Sequence, residues 1–248
     1  MKQVQIIMGM PIAVEVIDDT KKSYIVVTEV FDYFRYVDKK FSTYKDDSEI
    51  SQINQEKIPE KDYSRDMKKV LKLSEEMKNK TNGHFDIQTP DGHLDPSGLV
   101  KGWAILNASK ILDKAGIDNY YVSAGDDIQL KGHNKDGKPW SVGIRHPDEP
   151  DKIVKVIYLT KGGVATSGTY IRGKHIYSPL QKNAADEIVS LTVIGPDIYQ
   201  ADVYATAAFA MGKTGINFIE SLSNFEGYAI NKQNIATFTS GFSSYLEP

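Results

Sequence analysis

The sequence predicts an α+β fold built as a single domain over residues 1–248, and three observations carry that reading. Segments with a helical apolar period dominate the first half of the chain. Segments with strand-like alternation dominate the second, and no repeat or low-complexity linker divides them. Residues 4–17 alternate and are β-branched, which reads as a strand. Over 20–40, the residues Ile25, Val26, Val30, Phe31, Phe34 and Val37 recur at a helical period. Residues 62–82 repeat the pattern with Met67, Val70, Leu71, Ser74 and Met77, and Asn82-Gly83 stops the helix. A third helix is expected over 98–115, ending at Gly116. Strands are expected over 120–130, 140–145, 153–159, 170–177 and 188–194, bounded by Gly, Pro and Asp. A helical run over 199–223, broken near Gly212, precedes a closing hairpin over 226–238 that turns at 231–234.

The bulk properties exclude several classes of function. The chain has 248 residues, enough to bury a full core. A net charge of −3 gives no electrostatic reason to expect nucleic acid or an anionic membrane as partner. Cysteine is absent, which removes disulfides, thiolate metal sites and cysteine nucleophiles. The N-terminal apolar stretch is short and runs straight into strand-like alternation, so no signal peptide is read there. No apolar run approaches ~18 residues, so no membrane-spanning segment is expected. The expectation for the chain as it stands is a cytoplasmic location, and a chain trimmed of a leader would read the same.

The chemistry-bearing residues lie in five segments. Asp202 and Thr206 stand four apart at an expected helix start, so they share a helical face and can hold one hard cation. Mg²⁺ takes oxygen ligands and only one or two protein carboxylates, which leaves room for phosphate or water. Ala201, Ala205 and Ala208 equally suit close helix packing, with Asp202 as a helix N-terminal charge. In 95–103 a Pro-Ser-Gly turn opens a helix; its free N–H groups and Lys101 attract an anion, yet the spacing is not that of a P-loop. In 123–128 a strand ends in Gly125, Asp126 and Asp127, which serves as a tight turn or as carboxylates for ribose or metal. In 162–170, Ser167 and Gly168 can bring backbone N–H groups near phosphate oxygens. His175 follows and titrates near neutrality if unperturbed, as a general base must. Near the first helix, Ser42 and Tyr44 precede a capping sequence at Asp47 or Ser48; Tyr44 can stack on a planar ligand.

Taken in order, these segments resemble the ApbE family, the FAD:protein FMN transferases. Met8-Gly9-Met10 and the run from Trp140 through Arg145 and His146 to Pro147 add to the match, which spans the chain. The resemblance implies a T-fold-related α+β domain, with helices mainly in the first half and mixed or antiparallel strands in the second. It implies FAD as substrate, Mg²⁺ as cofactor, a threonine on a target flavoprotein as acceptor and AMP as leaving group. By resemblance, Asp202, Thr206 and a backbone carbonyl near Val100 are the metal ligands. Met10, Ser42, Tyr44, Lys101, Ser123, Ala124, Gly125, Asp127, Ser167 and Gly168 are FAD contacts, and His175 is the catalytic histidine. Two positions depart from the family pattern. Ser178 stands where an aspartate is usual, and Asp126 where a second glycine is usual, which brings a carboxylate toward the expected phosphate. FAD hydrolysis with water as acceptor, and FAD binding without turnover, are the alternatives these departures keep open.

Overall fold

A computed structural model describes residues 1–18, 20–149, 151–168 and 187–247. Among the described residues ten strands form, in chain order β1 (Lys2–Ile7), β2 (Met10–Val16), β3 (Tyr120–Ala124), β4 (Asp127–Lys131), β5 (Trp140–Arg145), β6 (Ile153–Leu159), β7 (Lys161–Gly168), β8 (Ile188–Gly195), β9 (Glu226–Asn231) and β10 (Ala236–Phe238). Eight of them make the central sheet, in the order β1-β2-β3-β4-β7-β8-β9-β10, every neighbouring pair antiparallel. Among the described residues, strands β5 and β6 pair only with each other, as an antiparallel hairpin between β4 and β7 in the chain. The helices are α1 (Lys21–Phe41), α2 (Glu49–Asn54), α3 (Arg65–Lys80), α4 (Ser97–Lys114), α5 (Ile198–Ala210) and α6 (Gly215–Glu220).

Local chemistry sets the helix starts. Thr20, Ser48, Ser64 and Asp197 each accept a hydrogen bond from a first-turn N–H, at Ser23, Ser51, Met67 and Gln200. Of the two capping candidates near Tyr44, Ser48 takes the role. The apolar face of α1 buries Val26, Val27, Val30, Phe31, Phe34 and Val37. That face joins α4, α5 and the inner sheet residues Ile12, Val14 and Val122 in the main core. A second core lies on the sheet's outer face. There Trp140, Ile144, Ile157 and Leu159 of the β5–β6 hairpin cover Leu130, Val164, Ile194 and Ile230.

Three expectations need correction. The strand over 4–17 is a hairpin, because Met8 and Gly9 both take positive φ (56° and 72°) and form the tight turn that matches strand twist. The strand over 120–130 likewise folds back at Gly125, whose φ is 60°. Of the segment 162–170, a Gly/Ser-rich loop by its composition, residues 162–168 belong to the central strand β7. Its glycines answer to crowding. A Cβ on Gly163 would lie 2.2 Å from the Ile198 nitrogen, and one on Gly162 would lie 2.7 Å from the Gly195 oxygen. The expected strand over 170–177 lies outside the described residues, and so does His175. Among the described residues, no helix is long and apolar enough to cross a membrane.

Gly163 lets α5 seat its first turn directly on β7, so Gly163→Ala should push that helix off the sheet. The expected cost is about 3 kcal/mol, at the upper end of overpacking, because the obstacle is backbone rather than a movable side chain. Urea denaturation measures it, and an unchanged midpoint would contradict this packing.

Candidate functional site

The site grows from the seam where α4 crosses α5. Gly98 and Gly102 stand four apart and therefore share one face of α4. A Cβ on Gly102 would lie 2.8 Å from both the Asp202 Cβ and the Ile198 oxygen, so only glycine permits this approach. A Cβ on Gly98 would come within 3.7 Å of Thr206. The helices therefore touch at Asp202 and Thr206, the two α5 residues expected from the sequence as cation ligands. Asp202 lies one turn inside α5, which begins at Ile198 after the Asp197 cap, rather than at the helix start. Its role is thus not that of an end charge.

Asp202 is 2% exposed. The Gly102 N–H donates to its Oδ2 at 2.9 Å, and Lys101 Nζ lies 3.5 Å from its Oδ1. Lys101 Nζ also pairs with Asp127 Oδ2 at 2.6 Å. Asp127 sits where the β4–β7 ladder ends. Past the Ile128–Val164 pair, its Oδ1 accepts from the Thr166 N–H at 3.0 Å, in place of a strand carbonyl. On the next residue, Ser167 Oγ and Thr206 Oγ1 approach to 3.4 Å. Behind the cluster, Gln129 Oε1 accepts from the Ile198 N–H at 2.9 Å and fixes the start of α5.

Two carboxyl groups stand beside one ammonium at this buried spot. Burial pushes the Asp202 carboxyl up to about 7; the Lys101 ammonium pulls it down, and the neighbouring Asp127 adds to the rise. Among the described residues, no group of three or more His, Cys, Asp or Glu is arranged so as to hold a metal ion. What the structure offers a cation is the carboxylates of Asp202 and Asp127 with the hydroxyls of Thr206 and Ser167. These are hard oxygen donors, and their small number suits a cation that brings phosphate or water as further ligands.

The other expected residues lie on several elements. Met10 opens β2, and a Cβ on Gly125 would lie 3.9 Å from its sulfur, so those two adjoin at the β3–β4 turn. Ser123 and the buried Ala124 end β3 at the same turn. Gly168 ends β7 opposite Ser190. Val100 is buried within α4. Ser42 caps the C-terminus of α1, and its carbonyl accepts from Ser48 Oγ at 2.7 Å. Tyr44, just beyond, is 96% exposed. Asp126 turns its carboxylate to Arg145, with Nε at 3.2 Å, so its charge is offset within the protein. The sequence reading missed Gly98, Gly102 and Gln129. The four-residue spacing of the two glycines was the available signal, since small residues at i and i+4 mark a close helix contact.

The chain belongs to the ApbE family, whose sequence profile matches residues 8–91 and 88–229. Among curated relatives, the FAD:protein FMN transferase of Vibrio cholerae is 34% identical over 134 residues, 50% of this chain and 40% of that protein. The FAD:protein FMN transferase of Salmonella typhimurium is 28% identical over 178 residues, 67% of this chain and 49% of that protein. The chain thus spans about half the length of the curated relatives it matches. Among solved structures, the flavin transferase ApbE from Vibrio cholerae superimposes with a TM-score of 0.85 at 24% identity, covering 99% of both chains. The ApbE protein from Thermotoga maritima gives 0.86 at 20% identity, covering 100% of this chain and 99% of that one. The mixed helices and antiparallel sheet are the fold of these structures.

The raised Asp202 carboxyl has a consequence for stability. In metal-free buffer the folded protein keeps a proton that the unfolded chain releases at pH ~3.9. The folded state therefore binds more protons between that value and about pH 7, and this contribution to stability is lost as pH rises through the window. Asp202→Asn carries no such titration. The stability of wild type relative to Asp202→Asn should fall between about pH 5 and pH 7 and level off above. Urea melts across that range check it; a flat difference would place Asp202 at an ordinary carboxylate pKa.

Proposed function

We propose that this chain is an FAD:protein FMN transferase, moving FMN from FAD to a threonine hydroxyl of a target flavoprotein and releasing AMP. The observation that carries the reading is the meeting of Lys101, Asp127, Ser167, Asp202 and Thr206, from four separate segments, in a chain of the ApbE family. Their chemistry suits a pyrophosphate with its counter-ion. Asp202, Thr206 and a carbonyl near Val100 would hold Mg²⁺, which supplies neutralisation of the charge that develops on the transferring phosphoryl group. Lys101 adds a fixed positive charge, and Asp127 holds its ammonium at 2.6 Å. The Ser167 hydroxyl, 3.4 Å from that of Thr206, gives the phosphate oxygens a donor beside the cation ligand.

In the transfer, the threonine oxygen forms a bond to the FMN phosphorus as the bond to the AMP oxygen breaks. AMP leaves with that electron pair, and the hydroxyl proton passes to His175 as general base. His175 comes from the resemblance alone. The test is to incubate the protein with FAD, Mg²⁺ and a threonine-bearing acceptor peptide. The expected result is a peptide heavier by one FMN, found by mass spectrometry, with an equal amount of AMP. FMN and AMP without a modified peptide would identify a pyrophosphatase, and unchanged FAD would leave a binding protein.

Two outcomes follow for the cluster. FAD should bind more tightly with Mg²⁺ present, because few protein charges hold the cation without phosphate oxygens; calorimetry with and without the metal reads this, and equal affinities would count against the Asp202–Thr206 site. Asp202→Ala should reduce turnover far more than FAD affinity, by about two orders of magnitude or more, since charge stabilisation acts mainly in the transition state. Near wild-type turnover in that variant would make Asp202 a structural residue of α5.

A further inference from the structure

An open sheet has two edges, and this protein treats its two unequally. β10 is kept short, at 3 residues, and its Phe238 ring stacks on Tyr228 with centroids 6.1 Å apart. β1 runs for 6 residues and, among the described residues, ends the other side of the sheet. Its register with β2 is continuous from Lys2–Glu15 to Ile7–Met10, with no bulge to twist it away and no proline within it. Natural proteins blunt a free edge with bulges, prolines or outward lysines, because unpaired N–H and C=O groups invite another strand. The one charged side chain of β1 does not guard it. Lys2 Nζ lies over the Tyr121 ring, 5.6 Å from its centroid, folded back across its own sheet. On that same outer face Val4 and Ile6 are left 54% and 74% exposed, while the β5–β6 hairpin covers residues of β4, β7, β8 and β9.

Backbone parity identifies the groups that face outward. Met1 and Val16 exchange hydrogen bonds, the Val16 N–H donating to the Met1 carbonyl at 2.9 Å and the Met1 amine donating to the Val16 carbonyl. Bonded and non-bonded pairs alternate along an antiparallel ladder, so Gln3, Gln5 and Ile7 also bond to β2. The N–H and C=O groups of Lys2, Val4 and Ile6 therefore point away from the sheet. These three residues form a self-complementary set. A second β1, turned antiparallel about a two-fold axis at Val4, sets Val4 against its own copy and Lys2 against Ile6, and each outward N–H meets an outward C=O. No charge meets a like charge along the paired strands. On the inner face Gln3 comes opposite Gln5, and their amides both donate and accept. Gln5 already accepts from Arg35 Nη2 of α1, and Asp32 offsets the charge of Arg35 beside the seam. The contact is isologous, so each copy uses up its own β1 edge and assembly closes at two.

We propose that β1 is a self-association edge, on which a second copy of this chain adds its own β1 antiparallel about Val4. The pairing is independent of the transferase chemistry. A strand of 6 residues falls short of the ~20–30 residues a side of a standard interface, so the pair is reversible, with a dissociation constant in the micromolar range. Sedimentation velocity on the full chain, from about 1 to about 200 μM, tests it with wild type, Val4→Lys, Val4→Glu and, beside the other edge, Ile235→Lys. Wild type and Ile235→Lys should pass from monomer to dimer across that range. Val4→Lys and Val4→Glu each set like charges against one another at the axis, so each alone should associate at least about tenfold more weakly. Mixed in equal amounts they should dimerise again, because lysine then faces glutamate. Circular dichroism checks that both fold. Should either not, Val4→Pro decides: the N–H it removes faces outward, so the sheet keeps its bonds while the seam loses one, and the dimer should weaken likewise. A wild type that stays monomeric at the upper concentration overturns the proposal and leaves the edge to an extended segment of another protein. Growth past the dimer overturns it as well. So does wild-type association in the Val4 variants, or a mixture of the two charged variants no tighter than either alone.

Discussion

The contact on which the rest depends is the approach of α4 to α5 at Gly102 and Asp202. A carboxylate this deeply buried must be hydrogen-bonded or paired, because an isolated charge in the interior is far costlier than the whole stability of a domain. The Gly102 N–H and the Lys101 ammonium answer that demand, from adjacent residues of one helix. They reach Asp202 only because position 102 carries no side chain. Lys101 is in turn held by Asp127, and Asp127 by the Thr166 N–H at the end of a strand ladder. One helix crossing thus fixes the spacing of four elements. It also gathers three charged groups, Lys101, Asp127 and Asp202, in one place.

The balance of those charges is unfavourable for stability by itself. Burial above all makes Asp202 resist ionisation in the folded protein; the Lys101 ammonium opposes this and the neighbouring Asp127 adds to it. A cation bound there has to compete with that proton. A less strained arrangement, such as an amide at 202, would satisfy the fold and forfeit the electrostatics.

The sheet divides the remaining labour. Its inner face carries α1, α4 and α5 over the main core, and its outer face carries the β5–β6 hairpin over a smaller one. Alternation along each strand sends successive residues to opposite faces. In β4, Asp127 and Gln129 serve the helices while Ile128 and Leu130 serve the hairpin. Ser167 faces Thr206 while its neighbour Thr166 bonds Thr192 on the other side. A single strand therefore contributes to both the charged cluster and the sheet's outer face.

Linear pattern alone was enough for the helices and most strands. The apolar stripe of α1, the capping serine of α2 and the closing hairpin are local patterns, and local patterns survive folding. Residue chemistry also picked out Lys101, Asp127, Ser167, Asp202 and Thr206, because such residues stand out against glycine and alanine. The Met8-Gly9 turn stayed hidden, since alternation looks the same on both sides of a two-residue reversal. Strand β7 read as a loop, because glycine serves flexibility in one setting and close packing in another. The folded chain was needed to choose between those two uses of glycine, for the reason that closeness is a relation between distant segments. Gly163 meets Ile198, Gly102 meets Asp202, and Asp126 meets Arg145 through space. A linear reading holds no term for those distances.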